Sequence, residues 1–398
     1  MRKREIIMNI LIYEWKNFGI EDVCEALTDM GHSFKVVSDE NIHERVCPEF
    51  DKKFEEIISE GDGYDCVFTF NYSPVLSNNC KKADIPYIAF IYDSPLVALY
   101  SYTIINPCNY VFIFDKKQYM DLKKEGINTV YYAPLCANPD RIERLIRQAK
   151  QSGDNKKYQG DIAFVGSMYN EKHNLFDRFK DLPPFVSGYL DAIMQAQLKV
   201  YGYNFIEELL TSNIIDELEK SVPLQPNKDG VETVQYLYSN YFLCRKMAAM
   251  ERKDLLGALS EQFNVNLYTP NPTPELPKIH NCGAIDYYNT MPVVFSESRI
   301  NLNITLRSIQ SGIPLRGIDI MAAGGFLMSN YQADFYDFFV PGEDLALYES
   351  KDDLMDKCRY YLSHEAERTQ IAANGLGKIK ESHTYKIRLS EMFEIVFN

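Results

Sequence analysis

The chain has 398 residues, 46% hydrophobic and 25% charged, which is enough for two cores of ordinary domain size. Its formal net charge of -14, with no block of Lys and Arg, argues against a nucleic-acid partner. Nine cysteines stand singly, in odd number and without a CxxC pair, which suits a reducing, cytoplasmic compartment better than a disulfide framework.

At the amino terminus, "MRKREIIMNILIYEWK" sets basic residues before an apolar run. That run is short, broken by Asn9 and Glu14, and lacks a small-residue cleavage site, so it reads as a first strand and not as a secretory leader. "MNILIY", the helix "GIEDVCEALTDMGH" closed by Gly31, and "SFKVV" predict a βαβ unit. Strands at "CVFTF", "PYIAFIY", "YVFIF" and "TVYYA" extend it to a parallel sheet with helices on both faces, ending near Pro134. A helix and polar linker follow over 135–160, and "DIAFVGS" opens a second half of the same kind. From about 172 to 262 helical spacing dominates, which predicts a helical insertion. Strands resume at "NVNLYT", "CGAI", "RINLNIT", "GFLMS" and "DLALYES". Ser350, with Asp353 three residues on, resembles a capping box for the next helix, and the closing segments are amphipathic helices. No stretch is long and apolar enough to span a membrane.

In doubly wound sheets ligands bind outside the carboxyl ends of the strands, so the site is expected in the cleft between the halves. "SIQSGIPLRGIDIMAAGGFLMSN" carries the strongest signal. Pro314 suits the first helical position and Gly324 the C′ position, which leaves Ser311 and Gly312 at a helix mouth favourable to an anion. Arg316 would grip phosphate oxygens, and Asp319, on the same helix face, a ribose diol. Arg307 is expected as a second cation aimed at that mouth. The plainer alternative is a solvated Arg316–Asp319 pair on a helix that Gly324 and Gly325 merely end.

"INLNITLRSIQSGIPLRGIDIMAAGGFLMSNYQADFYDFF", with "PGEDLALYESKDDL" and "HTYKIRL", resembles the carboxy-terminal domain of the CgeB-like glycosyltransferases, and "IYDSP" and "YYAPLCAN" resemble the domain that accompanies it. The resemblance implies the GT-B fold: two Rossmann-like doubly wound α/β domains facing a cleft, with the nucleotide-sugar held mainly by the second. It implies an acceptor-side domain over 1–140, a linker over 141–160, a nucleotide-sugar-binding domain over 161–380 with the insertion inside it, and a helix over 381–398 that packs back on the first domain. Related retaining enzymes carry two acidic residues eight apart. Asp319 matches the second, whereas Ser311 stands at the first, so retention or inversion is left open. Gly166 and Ser167 match the loop that approaches the diphosphate in this fold, Tyr268 and Thr269 stand where it contacts base or distal phosphate, and Tyr287 is a stacking candidate. Each has an ordinary structural alternative in a turn, a core or a surface.

For a catalytic base the candidates are Asp93 in "IYDSP", at a strand end, and Glu14 beside Trp15. Asp93 can equally be a turn residue capping the helix after Pro95, and His173 reads as a surface residue. His and Cys show no metal-ligand spacing, so no metal or other cofactor is expected. The expected function is transfer of a sugar from a nucleotide donor, UDP being the commonest in the fold, to an acceptor on a protein or cell-surface glycan precursor. A nucleotide-sugar epimerase of the same fold and an inactive sugar-nucleotide-binding scaffold are the alternatives.

Overall fold

Strands that are apolar on both faces must be covered on both, which a parallel sheet joined by helical crossovers provides. The computed structural model describes residues 7–15, 18–60, 63–171 and 174–397, so His173 lies outside the described residues. The first sheet is formed by β1 (Asn9–Glu14), β2 (Ser33–Ser38), β3 (Cys66–Phe70), β4 (Tyr87–Phe90), β5 (Asn109–Ile113) and β6 (Val130–Tyr132), in the order β2-β1-β3-β4-β5-β6. The second is formed by β7 (Gly160–Val165), β8 (Val265–Tyr268), β9 (His280–Asn281), β10 (Ser298–Asn303), β11 (Leu327–Asn330) and β12 (Ala346–Tyr348), in the order β12-β11-β10-β7-β8-β9. Neighbouring strands pair in parallel, for example Ile10 with Cys66 and Ile300 with Ile162. In each sheet the chain moves outward in one direction and then resumes on the other side of its first strand. This makes topological switch points between β1 and β3 and between β7 and β10.

The chain divides into two compact units. The first takes Met1–Ala137, Asn227–Glu232 and His383–Asn398. Its last helix, Tyr385–Phe397, buries Leu389, Met392 and Phe393, and the Tyr385 hydroxyl lies 2.7 Å from that of Tyr92. The short segment pairs with the stretch after β4: Tyr102 N donates to Asp229 O at 2.7 Å, and Arg45 pairs with the Asp229 carboxylate at 3.0 Å.

The second unit takes Asn138–Pro226 and Thr233–Ser382. Between β7 and β8, helices Pro184–Gln197 and Ser212–Ser221 build a core of their own around Leu190, Met194 and Leu218. The helix Cys244–Ser260 belongs to two cores. Met247 and Ala248 face that helical core, whereas Leu255, Leu256 and Leu259 pack with Phe164 and Leu267 against the sheet. Its second half is therefore the crossover helix of the sheet and not part of an insertion running to 262. A second difference lies at "CGAI": the strand is His280–Asn281, and Gly283 leaves it with a φ of 78°. Ser350 caps Lys351–Ser363 by accepting from Asp353 N at 3.1 Å, while the Asp353 carboxylate reaches back to Glu349 N, one residue before the cap.

Candidate active site

The switch point of the second sheet brings the carboxyl ends of β7 and β10 side by side, and Arg316 bridges them. It stands in the first turn of the helix Leu315–Ala322. Its Nε donates to Val165 O at 2.7 Å and its Nη1 to Asn303 Oδ1 at 2.9 Å, with the guanidinium 5.0 Å from the Phe164 ring centroid. A guanidinium has five N–H donors. Among the described residues the remaining ones of Arg316 meet no protein acceptor. Gly166 turns the chain beside it, and a Cβ there would lie 2.7 Å from Nη2, which is why glycine stands at this strand end. The solvated Arg316–Asp319 pair is not formed, because the Arg316 fork points back to the strand ends. Burial, and then the nearby charge of Arg252, press Arg316 below its ordinary pKa.

The loop before this helix is fastened through its backbone. Gln332 Nε2 donates to Ile309 O and Gly312 O at 3.2 and 3.1 Å, and Asp334 N donates to Ser311 O at 3.0 Å. Pro314 is the N-cap and not the first helical residue: its ring holds φ at -68°, but ψ is 153°. Gly324 follows the C-cap Ala323 with a φ of 67°, and a Cβ on Gly325 would come within 2.6 Å of Phe295 O. Both glycines thus end the helix and let the chain return closely to the sheet. Asp319 is 5% exposed, and the Tyr287 hydroxyl donates to its Oδ1 at 3.4 Å, so the ribose and stacking candidates meet in space. Arg141 pins the neighbouring Tyr288, donating to its carbonyl at 3.1 Å and lying 4.9 Å from its ring centroid.

Beside Gly166, the Asn271 carboxamide oxygen accepts from Met168 N at 2.8 Å and from the Ser167 and Thr269 hydroxyls at 3.1 Å each. Asn271 therefore ties the loop after β8 to the loop after β7 through Ser167 and Met168, and Thr269 braces it within its own loop. Tyr268 is buried, its carbonyl accepts from Gly166 N at 3.0 Å, and burial followed by the Cys282 thiol raises its hydroxyl pKa.

Arg307 departs from expectation. Its Nη2 donates to the buried Glu251 carboxylate at 2.7 Å, and its guanidinium lies 4.0 Å from the Tyr201 ring centroid. A carboxylate taken out of water needs a cation, and Glu251 claims this one. Burial still raises the Glu251 pKa, against the lowering effect of Arg307.

The second cation near Arg316 is instead Arg252, which reads in "MERKDLL" as one more charge on a solvated helix face. It is 2% exposed. Its Nη1 donates to Ser167 O, two residues past the end of β7, and its Nη2 to Ile304 O at 2.9 Å, one residue past the end of β10. Its guanidinium lies 4.7 Å from the Tyr169 ring centroid and 5.2 Å from that of Phe164, the ring Arg316 also shares.

In the first unit, Asp93 is exposed and follows β4. Asn71, just past β3, holds it: Asn71 Nδ2 donates to Asp93 Oδ2 at 2.8 Å, and Asn71 Oδ1 accepts from Asp93 N at 3.0 Å. The short 3-10 turn Val97–Tyr100 has Leu96 at its N-cap position. Glu14 is the last residue of β1, and the next residue, Trp15, donates from Nε1 to Phe70 O at 2.8 Å. The two carboxylate candidates thus stand at carboxyl ends of the first sheet.

Residues 245–394 match a family model described as glycosyl transferase-like, a span that includes Arg252, Arg307, Arg316 and Asp319. No curated protein matches the chain. Among solved structures, sucrose-phosphate synthase from Thermosynechococcus elongatus is similar with a TM-score of 0.55 at 12% identity, over 98% of this chain and 99% of that one. An alpha,alpha-trehalose 6-phosphate synthase from Burkholderia multivorans is similar with 0.55 at 10% identity, over 98% and 99%. The Anabaena protein HepE in complex with UDP is similar with 0.50 at 10% identity, over 98% and 100%. At such identities the likeness shows the fold, which is the two-domain α/β fold of the GT-B glycosyltransferases.

Proposed function

We propose that this protein is a glycosyltransferase that moves a sugar from a nucleoside diphosphate donor to an acceptor hydroxyl or amide. The observation that carries the reading is Arg316: a guanidinium anchored at both strand ends of a topological switch point, with N–H donors left over for an anion. In the reaction the bond from the sugar's anomeric carbon to the diphosphate oxygen breaks, and charge grows on that oxygen. Arg316 would stabilise it there, and a preorganised donor in a water-poor site acts more strongly than one in water. Asp319 accepts hydrogen bonds from the ribose diol. Asp93, oriented by Asn71, takes the acceptor's proton as general base. With guanidinium charge at the diphosphate, no metal is required for charge compensation in this reading.

UDP is the first nucleotide to test, since the Anabaena neighbour was solved with it. The CgeB-like resemblance of the second unit supports a protein or cell-surface glycan precursor as acceptor. The test is titration of the protein with UDP by calorimetry, followed by nucleotide release from a panel of UDP-sugars with and without acceptors. Arg316→Ala is expected to weaken UDP binding by about 1.5–3 kcal/mol, roughly 10- to 150-fold, the range for a hydrogen bond to a charged group. Unchanged UDP affinity in a folded Arg316→Ala protein would overturn the placement of the diphosphate, and binding without turnover on any acceptor would overturn the transferase reading.

A further inference from the structure

A cation 2% exposed is costly unless something compensates it. Arg252 is poorly compensated in the unliganded protein. Its hydrogen bonds to backbone go to two carbonyls, its Nε is buried without a partner, no carboxylate among the described residues lies within ion-pair distance, and Tyr169 and the charge of Glu251 offset burial only in part. The adjacent Glu251 directs its Oε1 to Arg307 and Tyr201. Beside Arg252 stands a like charge, Arg316, over the same Phe164 ring. A clamp meant only to join two carbonyls would not need a charge, and a neutral amide would serve without repelling Arg316.

We infer that Arg252 is a positioning residue for the donor's diphosphate: it fixes the loops after β7 and β10, between which Arg316 is anchored, and its charge favours a doubly phosphorylated ligand over a singly phosphorylated one. The inference rests on the nucleotide reading above and adds a residue that does not touch the ligand. Burial disfavours the charged form of Arg252, and Arg252 in turn presses on Arg316, so the unliganded pair is held at a cost that a bound anion relieves.

The test compares UDP with UMP, which share base and ribose and differ in phosphate charge. In Arg252→Gln the UDP affinity is expected to fall about tenfold, the low end of what losing an outer supporting group costs a bound one, and UMP affinity less than about threefold, so that the UDP:UMP ratio drops. Arg252→Lys restores most of the ratio by restoring the charge. Should Arg252→Gln not fold, Arg252→Met carries the same readout, because apolar replacement of a buried charge is often tolerated. A lower melting temperature with an unchanged UDP:UMP ratio would show that Arg252 is structural only and overturn the inference. The two readings fail differently. If the wild-type protein binds neither nucleotide, the donor-site reading itself falls; if it binds UDP through Arg316 and the ratio is indifferent to residue 252, only this inference falls.

Discussion

One methyl group at Gly166 is enough to probe the strand-end geometry. Gly166→Ala would place a Cβ 2.7 Å from Arg316 Nη2, inside contact distance. The fork must then swing off Val165 and Asn303. The φ of 156° at Gly166 is one that a residue with a Cβ rarely adopts, so the expected result is a UDP affinity lowered about tenfold together with a lower melting temperature. A melting temperature many degrees lower with normal affinity would mean that the backbone moved instead. The sequence made Arg316 legible, because a cation one turn into a helix that follows a small polar loop is a local pattern. It could not tell Arg316 from Arg307, which is nine residues earlier and equally near that loop. What separates them is Glu251, 56 positions back along the chain and 2.7 Å from Arg307 in space. Arg252 was illegible for the same reason: its acceptors Ser167 and Ile304 are 85 and 52 residues away.

The helix Cys244–Ser260 shows what periodicity conveys and what it omits. Its helical character was plain from spacing, but the two cores it enters were not, since an apolar stripe does not say which neighbour covers it. The division is testable at Leu256, which is fully buried in the sheet core. Leu256→Ala is expected to lower stability by about 2–5 kcal/mol in urea denaturation, by the transfer and cavity terms of a buried leucine. A loss below about 1 kcal/mol would contradict the crossover role. The same helix carries Arg252 at the boundary between its two packing zones, so both cores fix that guanidinium. The strand-and-helix alternation of both sheets was readable because buried parallel strands are short, apolar and bounded by turns. The β9 edge misled because Cys282, Ala284 and Ile285 look like a strand while Gly283 turns the chain with a φ of 78°.

At the scale of the whole chain, acid acts on the residue where the chain re-enters the first unit. His383 is 1% exposed, and its pKa is lowered from 6.5 to about 4 by burial and then by Arg388. The unfolded chain therefore binds a proton between these values that the folded one does not. The stabilisation is full above pH 6.5 and is lost as pH falls toward 4, by roughly 3 kcal/mol in total. Urea midpoints of wild type and His383→Gln at pH 7 and pH 5 check this: the wild type should lose more stability on acidification, and parallel losses would refute it. Tyr385–Phe397 bears on a different matter, the order of events during synthesis. Domains usually fold as they emerge from the ribosome, the first before the second. Here the first sheet is translated early, but the helix Tyr385–Phe397, which packs on Ile20–Asp29 of that unit, follows the whole of the second unit in sequence, and the segment at Asn227–Glu232 comes from within it. The first unit to be made is thus the last to be completed. It must wait, partly uncovered, until residues 385–397 have been made, so the amino-terminal third alone is not a unit that can be checked for completed folding.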